Sequence, residues 1–147
     1  MQILAPCAGQ VIAMADVADP VFSAQTVGPG VGIEPDDGRQ VVVAPADGRL
    51  LKVSPHAFIL LVDGEVGILV HIGINTVRLA GEGFEVLAAQ GADVTAGTPV
   101  VAWDPAAVTD PGMSRTVVVV VMDGEPDSVT TTAVGRRVAE GEALFNC

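Results

Sequence analysis

The stretch PHAFILLVDGEVGILVHIGINTV, Pro55 to Val77, holds both histidines of the chain, His56 and His71. Asp63-Gly64 lies midway between them. Asp-Gly is a strong two-residue hairpin signal, because a type I′ turn needs positive φ at both central positions. With that turn, Val62 faces Glu65, Leu60 faces Gly67 and Phe58 faces Leu69. His56 then falls opposite His71 on the same face, at a hydrogen-bonded pair with Cα atoms about 5.5 Å apart. Pro55 falls opposite Ile72 at a non-hydrogen-bonded pair, where its missing N–H removes no bond. A bulge would spoil this register by moving one residue to the other face.

Strand signals continue outward from this hairpin. GQVIAM, GVGIEP, QVVVAP, GRLLKV, EGFEVL, TPVVAW, TVVVVVM, SVTTTA and EALFNC are separated by Gly, Pro and Asp-Gly pairs. Short helical stretches are expected only around Val17 to Phe22 and Pro105 to Asp110. Many short strands with close turns predict an all-β sandwich or barrel. APCAGQVIAM (Ala5 to Met14) echoes APADGRLLKV (Ala44 to Val53). GADVTAGTPVVAW and GRRVAEGEALFNC share a second pattern, Gly-x-x-Val-x-x-Gly. These echoes point to a duplicated β-motif closing on itself. No linker divides residues 1–147, so a single domain is expected.

Half of the chain is hydrophobic, yet it has one Trp, four Phe and no Tyr, so the core must be aliphatic. Seven basic residues against 18 acidic ones leave a net charge of −11. That balance argues against nucleic acid and anionic lipid as partners and favours basic patches on other proteins. No apolar run approaches the ~18 residues of a membrane span, and the N-terminus does not read as a signal peptide. Cys7 and Cys147 form neither a disulfide framework nor a zinc pair and read as reduced cytosolic thiols, Cys147 on a frayed tail.

Two apposed imidazoles admit two chemistries. A metal site needs further ligands, and neither a His-x-His pair nor a third histidine is present. Alternatively, one neutral histidine is a nucleophile and the other donates a hydrogen bond to the anionic group transferred, which suits a phosphoryl group.

HIGINTVRLAGEGF, His71 to Phe84, resembles the active-site signature of the glucose-type enzyme IIA component of the bacterial sugar phosphotransferase system. That signature runs His-hydrophobic-Gly-Ile-Asp-Thr-Val-x-Leu-x-Gly-x-Gly-Phe. APADGRLLKVSPHAF resembles the upstream signature that carries the second histidine, and VADPVF, IEP and GADVTAGTPV match as well. The resemblance implies an antiparallel β-sandwich, a barrel-sandwich of the duplicated hybrid motif type. It implies a cytoplasmic phosphocarrier that needs no cofactor. His71 would take a phosphoryl group from the histidine phosphocarrier protein and pass it to a cysteine on a IIB domain of a sugar permease, of the glucose or N-acetylglucosamine class. His56 would stabilise the phosphoryl group, Ser54 would orient His56, and the Gly73 carbonyl would fix the His71 tautomer. Asp19, Phe22 and Asn75 would meet the partners. Asn75 stands where the family usually has Asp; it keeps the shape but loses the charge, so exchange with Asp is expected to leave stability almost untouched. The first strand begins close to Met1, so no membrane-touching N-terminal tail is expected.

Three other readings compete. A regulator of the same fold would lack a dedicated permease. A lysostaphin-type zinc peptidase would need a His-x-His pair that HIG does not supply. A biotin or lipoate carrier would need its lysine at a hairpin tip, whereas Lys52 lies between Leu51 and Val53 in a strand pattern. No structural zinc is expected, though His56 and His71 could bind Zn²⁺ opportunistically when a partner adds a carboxylate.

Overall fold

A computed structural model describes residues 1–147. The strands are β1 (Gln2–Leu4), β2 (Gly9–Ala13), β3 (Gly30–Pro35), β4 (Gln40–Val43), β5 (Gly48–Ser54), β6 (Ala57–Val62) and β7 (Val66–Ile74). They continue as β8 (Phe84–Val86), β9 (Asp93–Val94), β10 (Pro99–Trp103), β11 (Ser114–Val121), β12 (Arg137–Val138) and β13 (Ala143–Asn146). One short helix, α1 (Pro20–Ser23), and 3₁₀ turns at Met14–Asp16, Thr76–Leu79 and Pro105–Ala107 complete the chain. The fold is the expected all-β, antiparallel sandwich. An eight-stranded sheet runs β12-β2-β3-β11-β7-β6-β5-β9, beside a three-stranded sheet β4-β10-β8 and the pair β1-β13.

The sequence echoes are structural repeats. Gly9 pairs with Val138 and Gln10 with Arg137; likewise Gly48 pairs with Val94 and Arg49 with Asp93. Ala5 N–H donates to the Glu142 carbonyl as Ala44 N–H does to that of Thr98, at 2.7 and 2.9 Å. The Ala-Pro corners also clasp each other, Leu4 N–H to the Pro45 carbonyl and Val43 N–H to the Pro6 carbonyl, both at 2.9 Å. Each repeat is therefore closed by a strand pair far along the chain: β12 and β13 for the first, β9 and β10 for the second.

Inward residues alternate along the strands, as a one-sided sheet demands. Phe58, Leu60, Ile68, Val70, Ile72, Val117 and Val119 enter the main core, with Trp103 buried among them. Phe84 of the GEGF motif stacks on Trp103, ring centroids 5.5 Å apart. On the outer face, Met14, Val17, Phe22, Ile74, Val118 and Val120 form a second, smaller core beneath the α1 segment.

Three expectations need correction. SVTTTA forms no strand and contributes only a bridge between Thr130 and Asn146. Cys147 is not frayed: its N–H donates to the Met1 carbonyl at 2.9 Å, continuing the β1-β13 pair. The central hairpin is shifted by one residue. Asp63 and Gly64 take positive φ, 52° and 69°, and Glu65 N–H donates to the Val62 carbonyl at 3.1 Å. The type I′ turn is thus present, but Val62 pairs with Val66 rather than Glu65. Glu65 is an extra residue between turn and ladder, so His71 faces Ala57 instead of His56.

Because Glu65 stands outside the ladder, its deletion should leave every β6–β7 pair in place. The shortened hairpin should melt within a few degrees of the parent, whereas deletion of Leu69, inside the ladder, should throw the residues on one side of the gap onto the wrong face of β7 and abolish cooperative unfolding. Thermal denaturation of the two variants checks this.

Candidate active site

The histidines still meet, by a route the register argument did not contain. β5 and β6 pair up to Ser54 with Ala57, leaving Pro55 and His56 as a two-residue loop. Pro55 presets the loop's first φ, so it is a turn residue and not a strand partner of Ile72. The His56 carbonyl accepts from Ile72 N–H at 2.7 Å, which ties the loop to β7. That bond makes Ala57 and His71 a non-hydrogen-bonded pair, the kind with the closer side chains. The loop carries the His56 ring over Ala57, and its centroid lies 5.3 Å from that of His71, at an interplanar angle of 73°.

His71 is held on two further sides. Gly73 O lies 2.6 Å from its Nδ1. A carbonyl can only accept, so Nδ1 carries the proton and Nε2 keeps its lone pair. Gly73 sits at φ +80°, and a Cβ there would meet Thr76 Cγ2 at 2.4 Å and Ser114 O at 2.9 Å. Thr76 is buried, and its Oγ1 donates to the Ile72 carbonyl at 2.6 Å, bracing the same turn. Phe22 covers the second side, its ring 5.3 Å from His71 and tilted by 59°.

Asp19 caps α1, with Oδ1 accepting from Val21 N–H at 2.8 Å and Phe22 N–H at 3.2 Å. Its negative charge acts on His71, and its Oδ2 makes no hydrogen bond within the chain. Phe22 is largely buried in the smaller core; the apolar side chain that α1 exposes is Val21. Asn75 adopts φ 61°, a conformation Asn tolerates, and its Nδ2 donates to the Gly112 carbonyl at 2.9 Å. Asp has no donor for that carbonyl, so the two residues are not interchangeable for stability here. Ser54 lines a cavity of about 170 Å³ with Lys52, His56, Ala57, Ile59 and Leu69, and makes no hydrogen bond to the His56 ring. Of these neighbours, Thr76 and Lys52 were not selected from the sequence as site residues. Thr76 was readable within HIGINT, and Lys52 from its period-two spacing to Ser54.

Burial is the main cause lowering the pKa of both histidines. For His71 the Gly73 bond and Asp19 oppose it, and the His56 charge reinforces it; for His56 the Lys52 charge adds to it. Both rings are therefore neutral near pH 7. The buried Cys7 thiol is pushed up to about 12, chiefly by desolvation, and offers no nucleophile. No group of three His, Cys, Asp or Glu side chains is placed to hold a metal ion.

A family model described as phosphoenolpyruvate-dependent sugar phosphotransferase system, EIIA 1, matches residues 1–126. The chain belongs to this family. It is a glucose-type EIIA by its relatives as well. It is 40% identical over 99 residues to the glucose-specific EIIA component of Staphylococcus aureus strain N315, a match covering 67% of this chain and 60% of that one. It is 38% identical over 105 residues to the glucose-specific EIIBCA component of Corynebacterium glutamicum, covering 71% of this chain and 16% of that protein. The solved glucose permease IIA from Mycoplasma capricolum superposes with a TM-score of 0.87 at 32% identity, over 99% of this chain and 94% of the other. The chain thus spans less than two thirds of the two curated relatives. No helix of this EIIA is long and apolar enough to cross a membrane.

Two outcomes follow from the geometry. Gly73→Ala must move the carbonyl that holds His71, so it should destabilise the fold by about 1–3 kcal/mol and release the ring. Urea unfolding and the His71 ring-proton signals report the two effects. Lowered histidine pKa values also make stability pH-dependent. Below about pH 6.5 the unfolded chain binds protons that the folded one does not. Stability should be full above that pH and fall as the pH drops toward the folded-state midpoints. His71→Gln should flatten this dependence between pH 5 and 7, as measured by urea unfolding at each pH.

Proposed function

We propose that this EIIA carries a phosphoryl group on Nε2 of His71, taking it from the histidine phosphocarrier protein and passing it to a cysteine of a IIB domain. The observation that carries the reading is the 2.6 Å contact between His71 Nδ1 and the Gly73 carbonyl. It leaves one lone pair, on Nε2 of a neutral ring that stands beside the second histidine. The Nε2 lone pair attacks phosphorus, the donor's N–P bond breaks, and its electron pair returns to the donor imidazole. The Nδ1 proton stays on His71, where the Gly73 carbonyl stabilises the positive charge the ring acquires. For onward transfer a cysteine thiolate attacks, an S–P bond forms and the N–P electrons return to Nε2.

His56 donates a hydrogen bond to a phosphoryl oxygen, and Ser54, in the same cavity, steadies that ring once the anion draws it in. Oδ2 of Asp19 and the exposed Val21 lie on the docking side and meet a basic, partly apolar partner surface. Asn75 borders that face without adding charge. No cofactor is required for these steps. The names of relatives support the partner and the sugar class. In two Corynebacterium glutamicum proteins the matched region is a small part of chains named glucose-specific and mannose-specific EIIBCA. A hexose permease with a IIB domain is the corresponding partner, and the transfer takes place in the cytoplasm. Phosphorylation-dependent contacts with other regulatory proteins are compatible with the same face.

Incubation with the general phosphotransferase enzyme, the phosphocarrier protein and labelled phosphoenolpyruvate should label the wild type. His71→Gln should take up no label. His56→Gln should take up label but pass it to a IIB domain at least about 100-fold more slowly, the scale on which a lost oxyanion donor acts. Label persisting on the His71→Gln protein would overturn the assignment.

A further inference from the structure

Lys52 is the only lysine of a chain with net charge −11. Three arginines, Arg39, Arg115 and Arg137, are tied in ion pairs with Glu85, Asp37 and Asp36. Lys52 makes no ion pair, although acidic side chains outnumber basic ones. It lines the same cavity as Ser54 and His56.

A bulge puts it there. Leu50 pairs with Leu60, but Lys52 pairs with Ile59, so Leu51 is an extra residue in β5. In an unbroken ladder residue 52 would oppose Phe58, which belongs to the main core. With the extra residue, Lys52 shares the outer face with Ser54. Pairing across the sheet then gives two adjacent rows on that face: Ser54, Ala57, His71, and beside it Lys52, Ile59, Leu69. Two strand spacings across and one row along separate the Cα atoms of Lys52 and His71 by about 12 Å. An extended lysine and a phosphorylated imidazole can close that distance between them. The Lys52 charge already acts on the His56 ring, whose centroid is 5.3 Å from that of His71.

We propose that Lys52 is a third ligand of the phosphoryl group on His71, its ammonium meeting the oxygens that His56 does not. The inference rests on His71 being the phosphorylated residue. A mobile cation suits a group that must arrive and leave, because it neutralises the dianion without a fixed hydrogen-bond geometry. It also repels a proton from His56 and so keeps that ring a neutral donor.

Phosphoramidate, a small-molecule donor, separates this inference from the partner relay. Wild type, Lys52→Met, Lys52→Arg and His71→Gln are treated with it, and the phosphohistidine is followed by ³¹P NMR against pH. Loss of an opposite charge within contact distance should raise the phosphoryl group's titration midpoint by about one unit in Lys52→Met. Lys52→Arg should restore it, which a packing role for the side chain would not require. In the unphosphorylated protein, Lys52→Met should also raise the His56 ring-proton midpoint. Equal phosphoryl midpoints in wild type and Lys52→Met, or no rescue by arginine, would overturn the proposal. Label on a residue other than His71 would overturn both it and the proposed function. A wild type that reacts with phosphoramidate but takes no label from phosphoenolpyruvate through the carrier would sink the relay alone and leave Lys52 as its ligand.

Discussion

Two backbone hydrogen bonds, Leu4 to Pro45 and Val43 to Pro6, lock the two Ala-Pro corners together. Everything else is arranged around that clasp. It sets β1 and β4 side by side at the repeat junction, each extended by its distant partner, β13 or β10. The buried side chains of Ile3, Val42, Val101 and Phe145 then meet in one core instead of two. The repeats diverge on the outer face, where the first inserts α1 and its flanking turns between β2 and β3. That insertion places Phe22 over a histidine belonging to the second repeat. The site thus depends on both copies, although both histidines come from one.

The chemistry in turn depends on backbone more than on side chains. Gly73 at positive φ turns its carbonyl back to His71, and buried Thr76 holds the following turn. Burial keeps the imidazole neutral, so the nucleophile needs no separate base. These elements are local to HIGINT, which explains how so short a motif can carry the reactive group.

How much of this was legible can be read residue by residue. The strand class followed from alternation and turn residues, and the duplication from the Ala-Pro echoes. The very short β9 and β12 were not legible, because two residues show no period. SVTTTA has strand propensity, but tertiary pairing gave it a single bridge. The histidine register failed at Glu65, since an Asp-Gly turn looks the same in sequence with or without a following bulge. Their proximity survived because Pro55-His56 is itself a loop, a second departure that offset the first. Lys52 was legible only as a neighbour of Ser54 at period-two spacing; that this face turns outward, away from Leu50, is set by a bulge at Leu51 that the sequence does not show. Asn75 was read as a charge difference, and its bond to Gly112 needed coordinates, for Gly112 is far along the chain.

The crossing of the repeats also orders the folding of the chain. β5, β6 and β7 are joined by hairpins of two and three residues, so their closure costs little entropy. β1 and β2 wait for partners at residues 137–146, more than a hundred positions away. On a ribosome the hairpins that bear His56 and His71 can pair while the first repeat still lacks its edge. Separations of that size slow the final closure. Until the last strands emerge, the nascent chain therefore exposes the unpaired edges of β1 and β2, and that interval is when it is most open to chaperones and to misassembly with a second copy.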